Sequence, residues 1–134
     1  GQPLMSEKRS INTGEAPQAI GPYSQAIKVH SMVFISGQIP LVPETMELVG
    51  DDLAKQTHQV FKNLRSVAKA SGGDLNDIVK LTIYLTDLSA FSIVNEIMAS
   101  YFVEPYPARA TIEVSSLPKS ASIEVDAILT LGLK

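Results

Sequence analysis

Residues 51–86 read DDLAKQTHQVFKNLRSVAKASGGDLNDIVKLTIYLT, and the period of their hydrophobic pattern changes once along the way. Leu53, Thr57, Val60, Phe61, Leu64, Val67 and Ala68 recur at steps of three and four, which puts them on one stripe of a helix. Lys55, Gln59, Lys62 and Lys69 fall on the wetter side. Asp51 or Asp52 offers a side-chain acceptor to the first turn, and Gly72–Gly73 offers the left-handed residue that stops a helix. The spacing predicts a helix from about Asp52 to Ser71. From Ile78 to Thr86 the period drops to two. Val79, Leu81, Ile83 and Leu85 alternate with Lys80, Thr82, Tyr84 and Thr86, as in a strand with one buried face.

The same two periods extend outward. Downstream, Phe91, Val94, Met98, Tyr101 and Phe102 form the stripe of a second helix, opened by Asp87 or Ser89 and stopped by Pro105 and Pro107. Arg109 to Val114 is a strand with Ala110, Ile112 and Val114 on one face and Arg109, Thr111 and Glu113 on the other. Ile123 to Leu131 is another, with Glu124, Asp126, Ile128 and Thr130 opposite its apolar residues. Upstream, Tyr23–Val29 and Met32–Ile39 read as strands around a His30–Ser31 turn. Pro40 and Pro43 end the second, and a short strand near Met46–Val49 would form a hairpin with it. Ser10 to Pro22, broken by Asn12, Gly14, Pro17, Gly21 and Pro22, reads as an extended arm laid over the domain.

The resulting order, β-β-β-α-β-α-β-β, is an α+β pattern: one mixed sheet with two helices packed on one face. The other face carries Tyr84, Ile128, several threonines and scattered ionisable groups. A face of that mixed character meets another subunit more often than bulk water, so a homo-oligomer with sites between chains is expected.

A chain of 134 residues fits one domain with an ordinary core. The absence of Cys excludes disulfides, thiolate nucleophiles and Cys-ligated metals, and is compatible with a reducing, cytoplasmic setting. A net charge of -3 argues against a general nucleic-acid binder. No apolar run approaches the roughly 20 residues of a membrane span. Gly1–Gln2–Pro3–Leu4 reads as an expression-tag remnant before a native start at Met5, leaving 5–134 as a single domain. There is no Gly-rich phosphate loop, no G-x-S-x-G elbow and no metal-ligand spacing around His30 or His58, which read as solvated or capping histidines.

Four places can carry chemistry. Arg109 follows the stiff corner Pro105–Tyr106–Pro107–Ala108, and a guanidinium on a rigid element offers a fork matched to a carboxylate. The plainer reading pairs it with Glu113 or Glu124. Glu124, if its strand lies beside that of Arg109, puts a carboxyl on the same sheet face, where it can orient water or move a proton; it can equally be a salt bridge or a solvated side chain. Tyr23 follows the constrained Gly21–Pro22 turn and suits a pocket, a core or an interface. Gly37, between Ser36 and Gln38, interrupts an apolar strand, which marks either a bulge or the close approach of a ligand or another backbone.

Together these segments resemble a known family. Ala16–Pro17–Gln18–Ala19–Ile20–Gly21–Pro22–Tyr23–Ser24–Gln25 resembles the opening signature of the YjgF/YER057c/UK114 family, also called the Rid family of reactive-intermediate deaminases. Ile35–Ser36–Gly37–Gln38–Ile39–Pro40, residues 77–87, Val94–Asn95–Glu96, Pro107–Ala108–Arg109–Ala110–Thr111, Leu117–Pro118–Lys119 and Ile123–Glu124–Val125–Asp126–Ala127 match in order. The resemblance implies a chorismate-mutase-like fold, a homotrimer with a cleft at each interface, and no cofactor or metal. It also implies hydrolysis of enamines and imines such as 2-aminoacrylate and 2-iminobutanoate to 2-keto acids and ammonia. Arg109 would clamp the substrate carboxylate with the Gly37 amide assisting. Tyr23 would position the imine end, and Glu124 would hold or activate water. Asn95, Ser36 and Thr111 would contribute to substrate binding. Thr111 stands where many members have Cys, and Met46 where many have Gly. Some relatives are described as RNA-cleaving translation inhibitors or chaperone-like binders. The charge and the lack of a basic stripe weigh against nucleic acid here.

Overall fold

A computed structural model describes residues 7–133; the tag remnant read at 1–4 and the start at Met5 lie outside them. In chain order the strands and helices are β1 (Arg9–Ile11), β2 (Ala26–Val29), β3 (Met32–Gln38), β4 (Leu41–Val42), β5 (Glu47–Leu48), α1 (Leu53–Ala70), β6 (Ile78–Leu85), α2 (Phe91–Tyr101), β7 (Ala108–Glu113) and β8 (Ile123–Thr130). Six strands form one sheet in the order β1-β2-β3-β8-β6-β7. All neighbours are antiparallel except β6 and β7, whose parallel pairing requires a crossover, and α2 is that crossover. The sheet is therefore mixed, as expected.

α1 begins where the sequence places it. Asp52 is the N-cap, its carboxylate accepting from the Lys55 amide at 2.9 Å, and Gly72 follows the helix end with φ +103°. Val60, Phe61, Leu64 and Val67 of α1 and Val94 and Met98 of α2 pack on Val33, Ile35, Leu81, Ile83, Ile123, Val125 and Leu129 of the sheet. Each such side chain, once fully buried, contributes about 1.5–3 kcal/mol of transfer free energy.

Four details differ from the pattern reading. β1 joins the sheet edge by pairing with β2, a three-residue strand too short to show a period. Residues 12–22 form a loop clasped by the buried Gln25, whose amide nitrogen donates to the carbonyls of Thr13, Ala16 and Pro17 while its oxygen accepts from the Thr13 amide. The predicted Met46–Val49 strand does not pair with β3. It is β5, joined to β4 in a separate ribbon, because the chain turns away at Pro40, a residue without an N–H to extend a ladder. Finally, Val79 is exposed and Ile78 buried, since a register irregularity against β8 falls between Ile78 and Lys80 and shifts the alternation by one.

His58 is half-buried and has a partner. Its Nδ1 lies 2.9 Å from the Tyr101 hydroxyl, joining α1 to α2. Among the described residues no helix is long and apolar enough to cross a membrane, and no group of three His, Asp or Glu could hold a metal ion.

Candidate functional site

Register decides which way each candidate side chain points. Arg109, Thr111 and Glu113 pair with Leu81, Ile83 and Leu85, whose side chains are buried beneath the helices. Directly paired residues share a face, so Arg109 lies on the helix face at the β7 edge. Glu124 pairs with Tyr84 on the opposite face, and β6 separates β7 from β8. The expectation that Arg109 and Glu124 share one face of adjacent strands is therefore corrected: within one chain they are parted by a strand and by the sheet itself.

The plainer pairing of Arg109 also fails. Its Nη1 donates to Asn95 Oδ1 at 2.8 Å and approaches the Met98 sulfur at 3.4 Å, and its guanidinium carbon lies 4.8 Å from the centre of the Phe91 ring. Glu113 is engaged elsewhere, its Oε1 accepting from the Leu88 amide at 2.8 Å. Among the described residues the ion pair found is Arg65 with Asp74, at 3.8 Å. The Arg109 cation is thus steadied by a neutral amide and an aromatic face, both from α2, and faces solvent without a counter-charge. It borders an open cavity of about 390 Å³ with Asn95, Met98, Ala99, Tyr106 and Pro107. Thr111 does not line this cavity.

The second constellation gathers on β3 and β8. Ile35 pairs with Ala127 but Gln38 with Val125, so Ser36 and Gly37 together oppose Asp126 in a bulge. A Cβ on Gly37 would sit 1.9 Å from a Glu124 carboxylate oxygen. The bulge reading of Gly37 is the one the structure shows, and what approaches it closely in this chain is the Glu124 side chain, neither a ligand nor another backbone. Burial raises the Glu124 pKa above its ordinary value, and the nearby Asp126 carboxylate raises it further. Tyr84 donates its hydroxyl to Asp126 at 2.9 Å, and its own pKa is raised chiefly by that bond.

Ser36 is occupied structurally, its hydroxyl donating to the Ser24 carbonyl at 2.5 Å. That bond, with the Ser36 amide on the Gln25 carbonyl, fixes the loop bearing Tyr23 against β3. Tyr23 remains 54% exposed, its hydroxyl accepting from the Ile20 amide at 3.3 Å. Tyr23 and Gly37 line a cavity of about 290 Å³, walled also by Ile20, Ile39, Leu41 and Met46 and bordered by Lys119.

Pattern reading did not single out Gln25, Gln56 or Asn63 as organisers. Asn63 Nδ2 donates to the carbonyls of Ile39 and Leu41, at 3.3 and 3.0 Å, and Gln56 joins the Gly50 carbonyl to the Ser122 amide. The available signal was two amides lying within the apolar half of α1.

The family model described as Endoribonuclease L-PSP matches residues 13–131. The chain is 50% identical over 125 residues to Reactive Intermediate Deaminase A, chloroplastic, of Arabidopsis thaliana, covering 93% of this chain and 67% of that one. It is 43% identical over 125 residues to the Homo sapiens 2-iminobutanoate/2-iminopropanoate deaminase, covering 93% and 91%. The crystal structure of RidA from the Antarctic bacterium Psychrobacter sp. superposes with a TM-score of 0.89 at 47% identity, covering 92% of this chain and 99% of that one. With matches of this extent in both sequence and fold, the chain belongs to the YjgF/YER057c/UK114, or Rid, family.

Proposed function

We propose that the chain is a hydrolytic deaminase of reactive enamines and imines carrying a 2-carboxylate, such as 2-aminoacrylate and 2-iminobutanoate, and that it releases the 2-keto acid and ammonia. The observation that carries this reading is Arg109: a cation oriented by Asn95 and Phe91, bordering a cavity and left without a carboxylate among the described residues. A fork held in that state is suited to an incoming carboxylate.

The rest of the reading assigns roles to the second constellation. An iminium carbon is already electrophilic, so no strong nucleophile is required. Glu124 takes a proton from water as the oxygen adds to the iminium carbon and gives that proton to the nitrogen of the resulting carbinolamine. As the C–N bond breaks and ammonia leaves, Glu124 accepts the remaining hydroxyl proton, so that the oxygen becomes the keto C=O, and then releases that proton to solvent. Placing substrate and water in line supplies much of the gain, and the fixed Arg109 charge adds an electrostatic contribution. Tyr23 and the Gly37 amide border the imine, with Ser36 holding the Tyr23 loop. Since one chain keeps Arg109 and Glu124 on opposite sheet faces, the reading requires a second copy, and a homotrimer supplies it: the Arg109 edge of one protomer meets the helix-free face at Glu124 and Gly37 of the next. The names of the relatives at 43–50% identity support the same chemistry. The net charge of -3 weighs against RNA as the main partner.

The test is a coupled assay in which a threonine dehydratase generates 2-iminobutanoate in situ. Accelerated 2-oxobutanoate formation that needs Arg109 supports the reading. Wild-type protein that leaves the spontaneous rate unchanged ends it.

A further inference from the structure

We propose that Met46 sets the size of the imino-acid side chain this site admits. The inference rests on the deaminase reading and adds a selectivity device to it. Among the described residues four non-glycine residues have positive φ: His30, Met46, Lys119 and Ser120. His30 sits in the tight β2–β3 turn, where such angles are needed. Met46 and Lys119 instead border one and the same cavity, the one lined by Tyr23 and Gly37. A non-glycine residue in the left-handed region persists only where its surroundings over-determine it, and such residues cluster at functional sites.

The surroundings of Met46 are of that kind. The β4–β5 turn is closed by the Thr45 and Met46 amides on the Val42 carbonyl, at 3.2 and 2.8 Å, and by the Val49 amide on the Pro40 carbonyl at 3.0 Å. Its root is bound to α1 by Asn63, through the carbonyls of Ile39 and Leu41. This ribbon lies outside the main sheet, and its own hydrogen bonds and those of Asn63 hold it in one position. It carries the Met46 thioether to the rim of a cavity whose apolar wall is formed by Ile20, Tyr23, Ile39 and Leu41, with Gln18, Gln25, Gln38 and Lys119 on its polar side. Ile39 and Leu41 belong to the framework on which the ribbon is hung, whereas Met46 stands at a turn tip. Like the exposed Ile20 and Tyr23, it can change without disturbing the core, and of the three it is the one held in the left-handed region. An unbranched thioether fills an irregular gap well, so its removal opens space for a longer substrate side chain.

Two variants separate the side chain from the strain. Met46→Gly removes the wall and suits φ 61°; Met46→Ala removes the wall and keeps the strain. Imines are generated in situ from 2-aminobutanoate, leucine and phenylalanine by an amino-acid oxidase. The ratio of kcat/KM for the leucine- or phenylalanine-derived imine to that for 2-iminobutanoate should rise about tenfold or more in both variants, the range set by one or more methylenes in an apolar pocket. Glu44→Ala, on the same exposed turn and outside the cavity lining, should leave the ratio unchanged. A ratio within twofold of wild type in folded Met46→Gly and Met46→Ala overturns the proposal, as does a shift seen in Met46→Gly alone. If wild type turns over no imine, the deaminase reading falls, and calorimetric titration with 2-oxobutanoate and 4-methyl-2-oxopentanoate reads the wall directly. Binding of the longer acid by the two variants and not by wild type supports it, and equal binding by all three overturns it.

Discussion

Arg109 makes one hydrogen bond to a neutral amide and stacks on one ring, so little of the folded framework depends on it. Arg109→Lys keeps the charge and loses the fork. Turnover of 2-iminobutanoate is expected to fall roughly tenfold to a hundredfold, the worth of a charge-assisted hydrogen bond of ~1.5–3 kcal/mol, while the thermal melt stays at the wild-type temperature. A melt lowered without a kinetic loss would make Arg109 structural. Glu124 titrates above its ordinary value because burial and Asp126 both disfavour its charged form. The folded state therefore binds more protons than the unfolded one in the window just above the ordinary glutamate pKa, and stability falls as pH rises through it. Glu124→Gln should melt higher than wild type at neutral pH, with the difference vanishing in acid below that window. On the kinetic side, the acid limb of wild-type kcat/KM should fall at the raised Glu124 pKa, and Asp126→Asn should move that limb to lower pH by removing the like charge. An unmoved limb in Asp126→Asn would detach Asp126 from the titration.

At the scale of elements, a bulge and a ribbon present the second constellation. The Ser36–Gly37 bulge makes room for the Glu124 carboxylate, and a methyl at residue 37 would overlap it. Gly37→Ala is expected to displace Glu124 and reduce turnover about as far as Glu124→Ala does. The double variant should lose little more than either single one, which is the non-additivity of groups in contact. Full additivity, measured by steady-state kinetics, would separate the two residues. The ribbon depends on Asn63, whose amide satisfies two carbonyls at the ribbon's root. Asn63→Leu leaves those carbonyls without that partner and should cost about 1–3 kcal/mol in denaturant unfolding. Amide exchange should also quicken at Met46 and Val49, whose protons the ribbon protects. Unchanged exchange there would place the ribbon's rigidity elsewhere.

For the whole molecule, the helix-free face of the sheet exposes Phe34, at 46%, and Ile112, at 45%, beside Tyr84, Asp126 and Ile128. The deaminase reading requires this edge-and-face surface to meet other copies. Light scattering should report about three times the chain mass of 14.4 kDa. Phe34→Glu should shift the population toward monomer and remove imine turnover together with assembly, since each complete site draws on two chains. A monomer of either protein with full activity would contradict sites shared between protomers.

Local pattern carried the two helices, five of the sheet's six strands and the one-sided core, because burial imposes a period of 3.6 or 2 on local sequence. The N-cap at Asp52, the stop at Gly72 and the bulge at Gly37 were legible for a related reason: each answers a local steric or hydrogen-bond demand. Sequence could also name Arg109 and Glu124 as the residues of interest. It could not say that they face away from each other, since that follows from β6 lying between β7 and β8, a pairing made by residues some tens of positions apart. Nor could it show that β5 leaves the main sheet, that Val79 turns outward, or that Gln25, Gln56 and Asn63 hold the loops. A single slipped residue or one long-range amide contact decides each of these, and neither leaves a period in the chain. The left-handed Met46 is the same case: its identity is written in the sequence, but its conformation and its place at the cavity rim arise only when the ribbon is hung on α1.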